Sequence, residues 1–144
     1  MKSLLLILFY FLPAPVLWLG DFKEAQKQAA ESHQLILVNF SGTDWCGPCI
    51  RLRKEILESP AFEKYAADHL VLVRADFPRL KKNQLPPTQV KLNEALADRY
   101  NSNGIFPYTL LMNENGKVIK AWDGFPNVTP EQFVLEITAL TPNR

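Results

Sequence analysis

A chain of 144 residues, 47% hydrophobic and 22% charged, holds enough apolar material for one packed core and falls within the size of a single domain. Sixteen Lys and Arg against fifteen Asp and Glu leave a formal charge of +1. That balance gives no electrostatic reason to expect a nucleic-acid partner, and none is predicted.

The first 17 residues read as a signal peptide or an N-terminal membrane anchor, with the domain proper from 18 to 144. Lys2 is followed by the apolar run Leu4 to Leu12 and then by Pro13-Ala14-Pro15. The run is shorter than the roughly 20 apolar residues of a transmembrane helix. Cleavage after Ala14 would place Leu12 where a small residue is wanted, so a cleaved signal and an uncleaved or lipid-edge anchor both stay open. An apolar N-terminal strand or helix of the fold is the plainer alternative. Export to an extracytoplasmic space is the expectation.

Asp21 to His33 carries Phe22, Ala25 and Ala29 at helical spacing among Lys, Glu and Gln, which predicts an amphipathic helix. Leu35 to Phe40 is a short apolar run, the pattern of a strand buried on both faces, and it leads into Ser41-Gly-Thr-Asp-Trp-Cys46. A helix follows, turning Leu52, Ile56 and Leu57 inward. Ser59-Pro60 opens another, with Phe62, Tyr65 and Ala66 inside, ahead of a strand from Leu70 to Ala75. Three prolines between Phe77 and Pro87 predict a long surface connection. Thr88 to Asn101 reads as a helix with Leu92, Leu96 and Tyr100 on its inner face, stopped near Gly104. Tyr108 to Met112 and Lys117 to Trp122 flank Asn113-Glu-Asn-Gly116 as a hairpin. Thr129-Pro130-Glu131-Gln132 is a capping box opening a last helix through Phe133, Ile137 and Leu140.

Cys46-Gly47-Pro48-Cys49 falls at the junction of a predicted strand and a predicted helix. The first cysteine then sits among the unpaired N–H groups of a helix start, which stabilise a thiolate, while the second lies one turn inside on nearly the same face. Only the thiolate attacks a disulfide; a second cysteine at this spacing can release the product. Pro48 fits a first helical turn, where no N–H is missed.

Strand, Trp-Cys-Gly-Pro-Cys and helix in this order resemble the thioredoxin superfamily, and the resemblance runs from about Trp18 to Leu140. It implies an α/β thioredoxin fold, a central mixed β-sheet flanked by helices. It implies Cys46 as catalytic nucleophile, Cys49 as resolving thiol, and no cofactor beyond their redox-active disulfide. Gly104-Ile-Phe-Pro107 matches the family's cis-proline segment, so Pro107 is expected to be cis. The implied substrate groove is lined by Trp45, Gly47, Pro48, Phe106 and Pro107. Asn39 stands where the family usually buries an aspartate beneath the second cysteine. It is a doubtful proton-transfer position, because an amide cannot take the proton, and a hydrogen-bonded core amide is the plainer reading.

The approach Ser41 to Trp45 is one residue longer than usual and, with the proline-rich connection, resembles a branch often exported by bacteria, which implies the periplasm. Asp44 would tend to raise the Cys46 pKa, while Arg51, Arg53 and Lys54 would lower it. Arg79, Lys81 and Lys82 could guide an acidic substrate or touch a membrane, but three charges in a surface loop are more often simply solvated. Gly124 follows the hairpin where the family has a groove glycine.

Rival readings of the cysteines are weaker. A bridge between residues three apart removes little unfolded-state entropy. A zinc site would need His33 and His69, which lack ligand spacing, so no metal is expected. Ile50 stands where haem attachment demands histidine. A docking module with idle or redox-sensing cysteines, and a disulfide-forming oxidant or isomerase, remain as alternatives. Gly-Pro between the cysteines resembles the reducing thioredoxins, which implies a protein-disulfide reductase, monomeric, acting on exported protein disulfides. Such a protein needs a membrane or exported thiol reductase as electron donor.

Overall fold

The computed structural model describes residues 16–141, so most of the N-terminal segment read as a signal or anchor (residues 1–15) lies outside the described residues. The elements are β1 (Trp18–Leu19), α1 (Phe22–Ser32), β2 (Leu35–Ser41), α2 (Gly47–Leu52), α3 (Pro60–His69), β3 (Leu70–Asp76), α4 (Pro87–Tyr100), β4 (Tyr108–Met112), β5 (Val118–Asp123) and α5 (Pro130–Leu140). A π-helical turn (Arg53–Leu57) extends α2, and a single 3-10 turn (Lys81–Asn83) punctuates the proline-rich connection.

The sheet runs β1-β3-β2-β4-β5. β1, β3 and β2 are parallel, and β4 and β5 add on antiparallel, giving the thioredoxin fold and its mixed sheet. β2 is central and buried along its whole length, the physical reason for its unbroken apolar run. Its alternate residues feed two cores. Leu35 and Leu37 meet Leu52, Ile56, Leu57, Phe62, Phe133 and Ile137 from α2, its π turn, α3 and α5. Ile36, Val38 and Phe40 meet Ala25, Ala29 and Leu96 from α1 and α4. A fully buried side chain of this kind stabilises by about 1.5–3 kcal/mol relative to exposure, so the two layers hold the sheet between them.

The caps follow the sequence closely. Asp21 accepts from the Lys23 and Glu24 amides, Ser59 from Phe62, and Thr129 and Gln132 form the reciprocal box. Three expectations need correction. Leu92 is 42% exposed, because the inner face of α4 is set by Asn93, which donates from Nδ2 to the Asp76 carbonyl at 2.9 Å, and by Leu96. Leu140, at the frayed end of α5, is also exposed, whereas Phe133 and Ile137 are fully buried. The helix after the cysteines is not uniform: the Glu58 amide reaches back five residues to the Arg53 carbonyl at 2.8 Å. The widened turn lets the adjacent Ile56 and Leu57 both enter the core. β1 carried no pattern of its own in the sequence; two residues pairing with Leu72 and Val73 are too short for periodicity to register.

Candidate active site

β2 and β4 are antiparallel neighbours, with Phe40 opposite Tyr108, so the chain leaving β2 toward the cysteines and the chain entering β4 from Pro107 lie side by side at one end of the sheet. That register assembles the site. Cys46 is the N-cap of α2, and Cys46 and Cys49 are joined in a disulfide with Cα atoms 5.2 Å apart. The Cys49 amide donates to Cys46 Sγ at 3.2 Å, and the Gly42 amide points at Cys49 Sγ at 3.5 Å. Both cysteines are nearly buried while Gly47 and Pro48 between them are exposed, so the pair is reached only from the motif's outer surface.

The Phe106–Pro107 peptide is cis. Its loop is tied at both ends. Asn101, 5% exposed, donates from Nδ2 to the Ile105 carbonyl and accepts from the Ile105 amide, both at 2.9 Å; the Gly124 amide donates to the Pro107 carbonyl at 2.9 Å. Gly124 has φ +78°, a conformation that favours glycine, and lies beside the proline segment. Trp122, two residues earlier in β5, belongs to the core instead: its ring packs on Phe133 and its Nε1 donates to Glu136 at 2.9 Å.

Trp45 is held from several directions. Its Nε1 donates to the Phe77 carbonyl at 2.7 Å, its ring meets Phe106 edge-on at 5.4 Å, and the Arg79 guanidinium stacks 3.7 Å above it. A methyl group on Gly42 would run into the indole, so that glycine makes room for the tryptophan. The proline-rich connection is therefore strapped to the motif rather than free in solvent. The strap is completed by Asp44, whose carboxylate accepts from the Arg79 and Leu80 amides at 2.9 Å and from Asn83 Nδ2 at 3.1 Å. The Arg79 amide, with Leu80 and Asn83, holds the Asp44 carboxyl below the usual carboxylate range against the opposing effect of its partial burial. The Asp44 carboxylate faces the strap's backbone donors and Asn83. Arg79 corrects the picture of a merely solvated basic stretch, although Lys81 and Lys82 are exposed.

Asn39 is buried and donates from Nδ2 to Thr109 Oγ1 at 3.1 Å, its cross-strand partner in the β2–β4 register. It has the geometry of a satisfied core amide. Its neighbour on the other side is Arg74, whose guanidinium lies 4.2 Å over the Trp18 ring and whose pKa is lowered chiefly by burial and then by the nearby Arg53. Among the described residues no carboxylate hydrogen-bonds either sulfur, and no group of three or more His, Cys, Asp or Glu could hold a metal. No helix of the described residues is long and apolar enough to cross a membrane.

Sequence reasoning reached the cysteines and Pro107 but missed Gly42, Asn101 and the Arg79 stack. A glycine three residues before a tryptophan and an Asn-x-x-Gly before a proline segment are the only local signals for the first two.

The profile of a family described as "Thioredoxin-like domain" matches residues 22–140. In sequence the chain is similar to the disulfide bond reductase DsbH of Chlamydia pneumoniae, 35% identical over 97 residues, covering 67% of this chain and 57% of that protein. It is also similar to the thioredoxin-related protein DsbJ of the same organism, 33% identical over 114 residues, covering 79% of this chain but only 32% of that protein. The chain thus matches about half, or less, of the length of these relatives. A solved structure of a DsbH oxidoreductase superposes with a TM-score of 0.81 at 28% identity, covering 100% of this chain and 96% of the other.

Proposed function

This chain belongs to the thioredoxin-like domain family, and from that premise we propose that it is a protein-disulfide reductase working through Cys46 and Cys49. The observation that carries the reading is the pairing of the two cysteines at the β2–α2 junction beside the cis Phe106–Pro107 segment. The similarity to a protein named disulfide bond reductase, and Gly-Pro between the cysteines, favour reduction over oxidation.

In the reduced protein the Cys49 amide that points at Cys46 Sγ stabilises a thiolate there. That thiolate attacks one sulfur of a substrate disulfide; the S–S bond breaks, a mixed disulfide forms, and the second substrate sulfur leaves as a thiolate that takes a proton from water. Cys49, after losing its own proton, attacks Cys46 Sγ, the mixed disulfide breaks, and the first substrate sulfur leaves. Two electrons have passed from the dithiol to the substrate, and the Cys46–Cys49 disulfide remains. Trp45, Gly47, Pro48, Phe106 and Pro107 form the surface on which an extended substrate segment lies, with the backbone groups around Pro107 as its hydrogen-bond partners.

Residues 1–17 serve as the export segment and 18–144 as the working domain, so that the protein acts as a monomer in an oxidising, extracytoplasmic compartment such as a bacterial periplasm. An exported or membrane-bound thiol reductase must then regenerate the dithiol, because two electrons leave with every substrate.

Trapping tests the assignment of roles. With an oxidised, insulin-like disulfide substrate in turnover, Cys46→Ser abolishes reduction, whereas Cys49→Ser accumulates a covalent mixed disulfide visible as a mass increase cleaved by dithiothreitol. A Cys46→Ser variant that keeps its turnover, or a Cys49→Ser variant that captures nothing, argues for a docking module instead.

A further inference from the structure

We infer that Arg79, stacked on Trp45 beside Cys46, forms a carboxylate-binding subsite that selects disulfide substrates carrying an acidic residue next to the reactive cysteine. The inference deepens the reductase reading and rests on it.

The geometry begins at Pro107. Phe106 meets Trp45 at 5.4 Å and Phe77 at 5.5 Å, and Arg79 stacks on the same indole at 3.7 Å, so the residue before Pro107, the ring of the tryptophan that precedes Cys46 and the guanidinium are in continuous contact. A substrate segment laid along Phe106–Pro107 toward Cys46 brings the side chains flanking its own cysteine over these groups. Arg79 is fixed there from two sides: its amide is bound by Asp44 at 2.9 Å and its guanidinium face by the indole. Stacking occupies the plane of a guanidinium but leaves its N–H edge free to bind a carboxylate in a bidentate manner.

That edge is open. Arg79 is exposed, and its side chain makes neither an ion pair nor a hydrogen bond among the described residues, whose ion pairs are Arg51–Glu55 and Arg53–Glu58. The carboxylates that hold the strap are already engaged, Asp44 by two backbone amides and Asn83, and Asp76 by Thr43 and the Phe77 amide. Lys81 and Lys82 on the following turn add positive field without a paired acid.

The other side of the motif provides the contrast that fixes the location. Arg51 also covers an aromatic ring, Phe125, at 4.3 Å, and Phe125 adjoins the Gly124 that binds Pro107. The Arg51 edge, however, is filled by Glu55 through two bonds of 3.3 and 3.1 Å. Of these two stacks one has its guanidinium edge paired and the other does not, so the Arg79 edge is the one of the two left for an acidic substrate side chain.

The test uses two oxidised peptides identical except for Glu or Gln beside the disulfide cysteine, with kcat/KM measured for the reduced full chain at low ionic strength. The Glu peptide is expected to be preferred by about fivefold, and the preference to shrink toward unity in about 0.5 M salt, where exposed charges are screened. Arg79→Gln should bring the ratio to about one. Arg79→Lys, which keeps the charge but not the fork, should retain part of it. A merely structural role for Arg79 would slow both peptides alike and leave the ratio unchanged. Equal rates with the parent protein, or a preference that survives Arg79→Gln, overturn the subsite while leaving the reductase reading intact. Reduction of neither peptide sinks that reading, and the subsite with it.

Discussion

On the proposed mechanism, Asn39 bears on how the second cysteine loses its proton. It is tied to Thr109 and, as an amide, has no place for a proton, so we propose that the nearly buried Cys49 gives its proton to water or hydroxide. The release of substrate should therefore quicken steadily with pH through the thiol range. Asn39→Asp places a carboxylate at this position and should speed decay of the mixed disulfide at neutral pH by about tenfold, less than the roughly hundredfold or more of a fully positioned base. Quenched-flow detection of the mixed disulfide checks it; an unchanged lifetime would mean that proton transfer does not limit this step. The residue scale is also where the sequence was most legible for chemistry. Cys46, Cys49 and Pro107 stand in a local motif, whereas Arg79 and Trp45 are 34 positions apart and meet only after the strap folds back. No local spacing encodes that stack, and the loop's polarity pointed toward solvation.

Among the elements, the proline-rich connection is the one whose behaviour the sequence described least well. Its prolines forbid regular structure, as expected, yet it is bound down through side chains of the motif: Asp44 to three donors, Trp45 to the Phe77 carbonyl, and Thr43 to Asp76 at the loop's base. A carboxyl whose pKa is lowered in the fold, as for Asp44, contributes stability above its ordinary range and loses it only as pH falls through the lowered value. The strap should thus stay closed from neutral pH down to about 4 and open in more acid solution. The indole N–H resonance of Trp45 reports the closure directly. In Asp44→Asn, where one acceptor oxygen becomes a donor group, that resonance should shift or broaden at neutral pH already. A wild-type transition centred above the ordinary carboxylate range would contradict the assignment. The register of α4 was misjudged for a related reason. Leu92 looked like an inner residue by apolar spacing, but the buried bond from Asn93 to the Asp76 carbonyl rotates that face away, and a polar residue on the core side leaves no mark on hydrophobic periodicity.

At the scale of the whole molecule, the order of helices and strands from Phe22 to Leu140 was readable from local signals: the caps Ser59 with Pro60 and Thr129 with Gln132, and the unbroken apolar run of β2. The position of β1 at the sheet edge and the π turn after α2 were not, since both depend on what β3 and the core offer rather than on their own few residues. What the fold supplies is one end of the sheet at which β2 delivers the cysteines, β4 delivers Pro107, and the strap before α4 delivers Arg79 over Trp45. On the proposed function, this end of the sheet gives electrons to substrate disulfides. The equilibrium reduction potential of the Cys46/Cys49 pair in glutathione buffers tests it most directly. A value near the roughly −270 mV of reducing thioredoxins is the predicted result, and a value near −120 mV, that of a disulfide-forming oxidant, would contradict it.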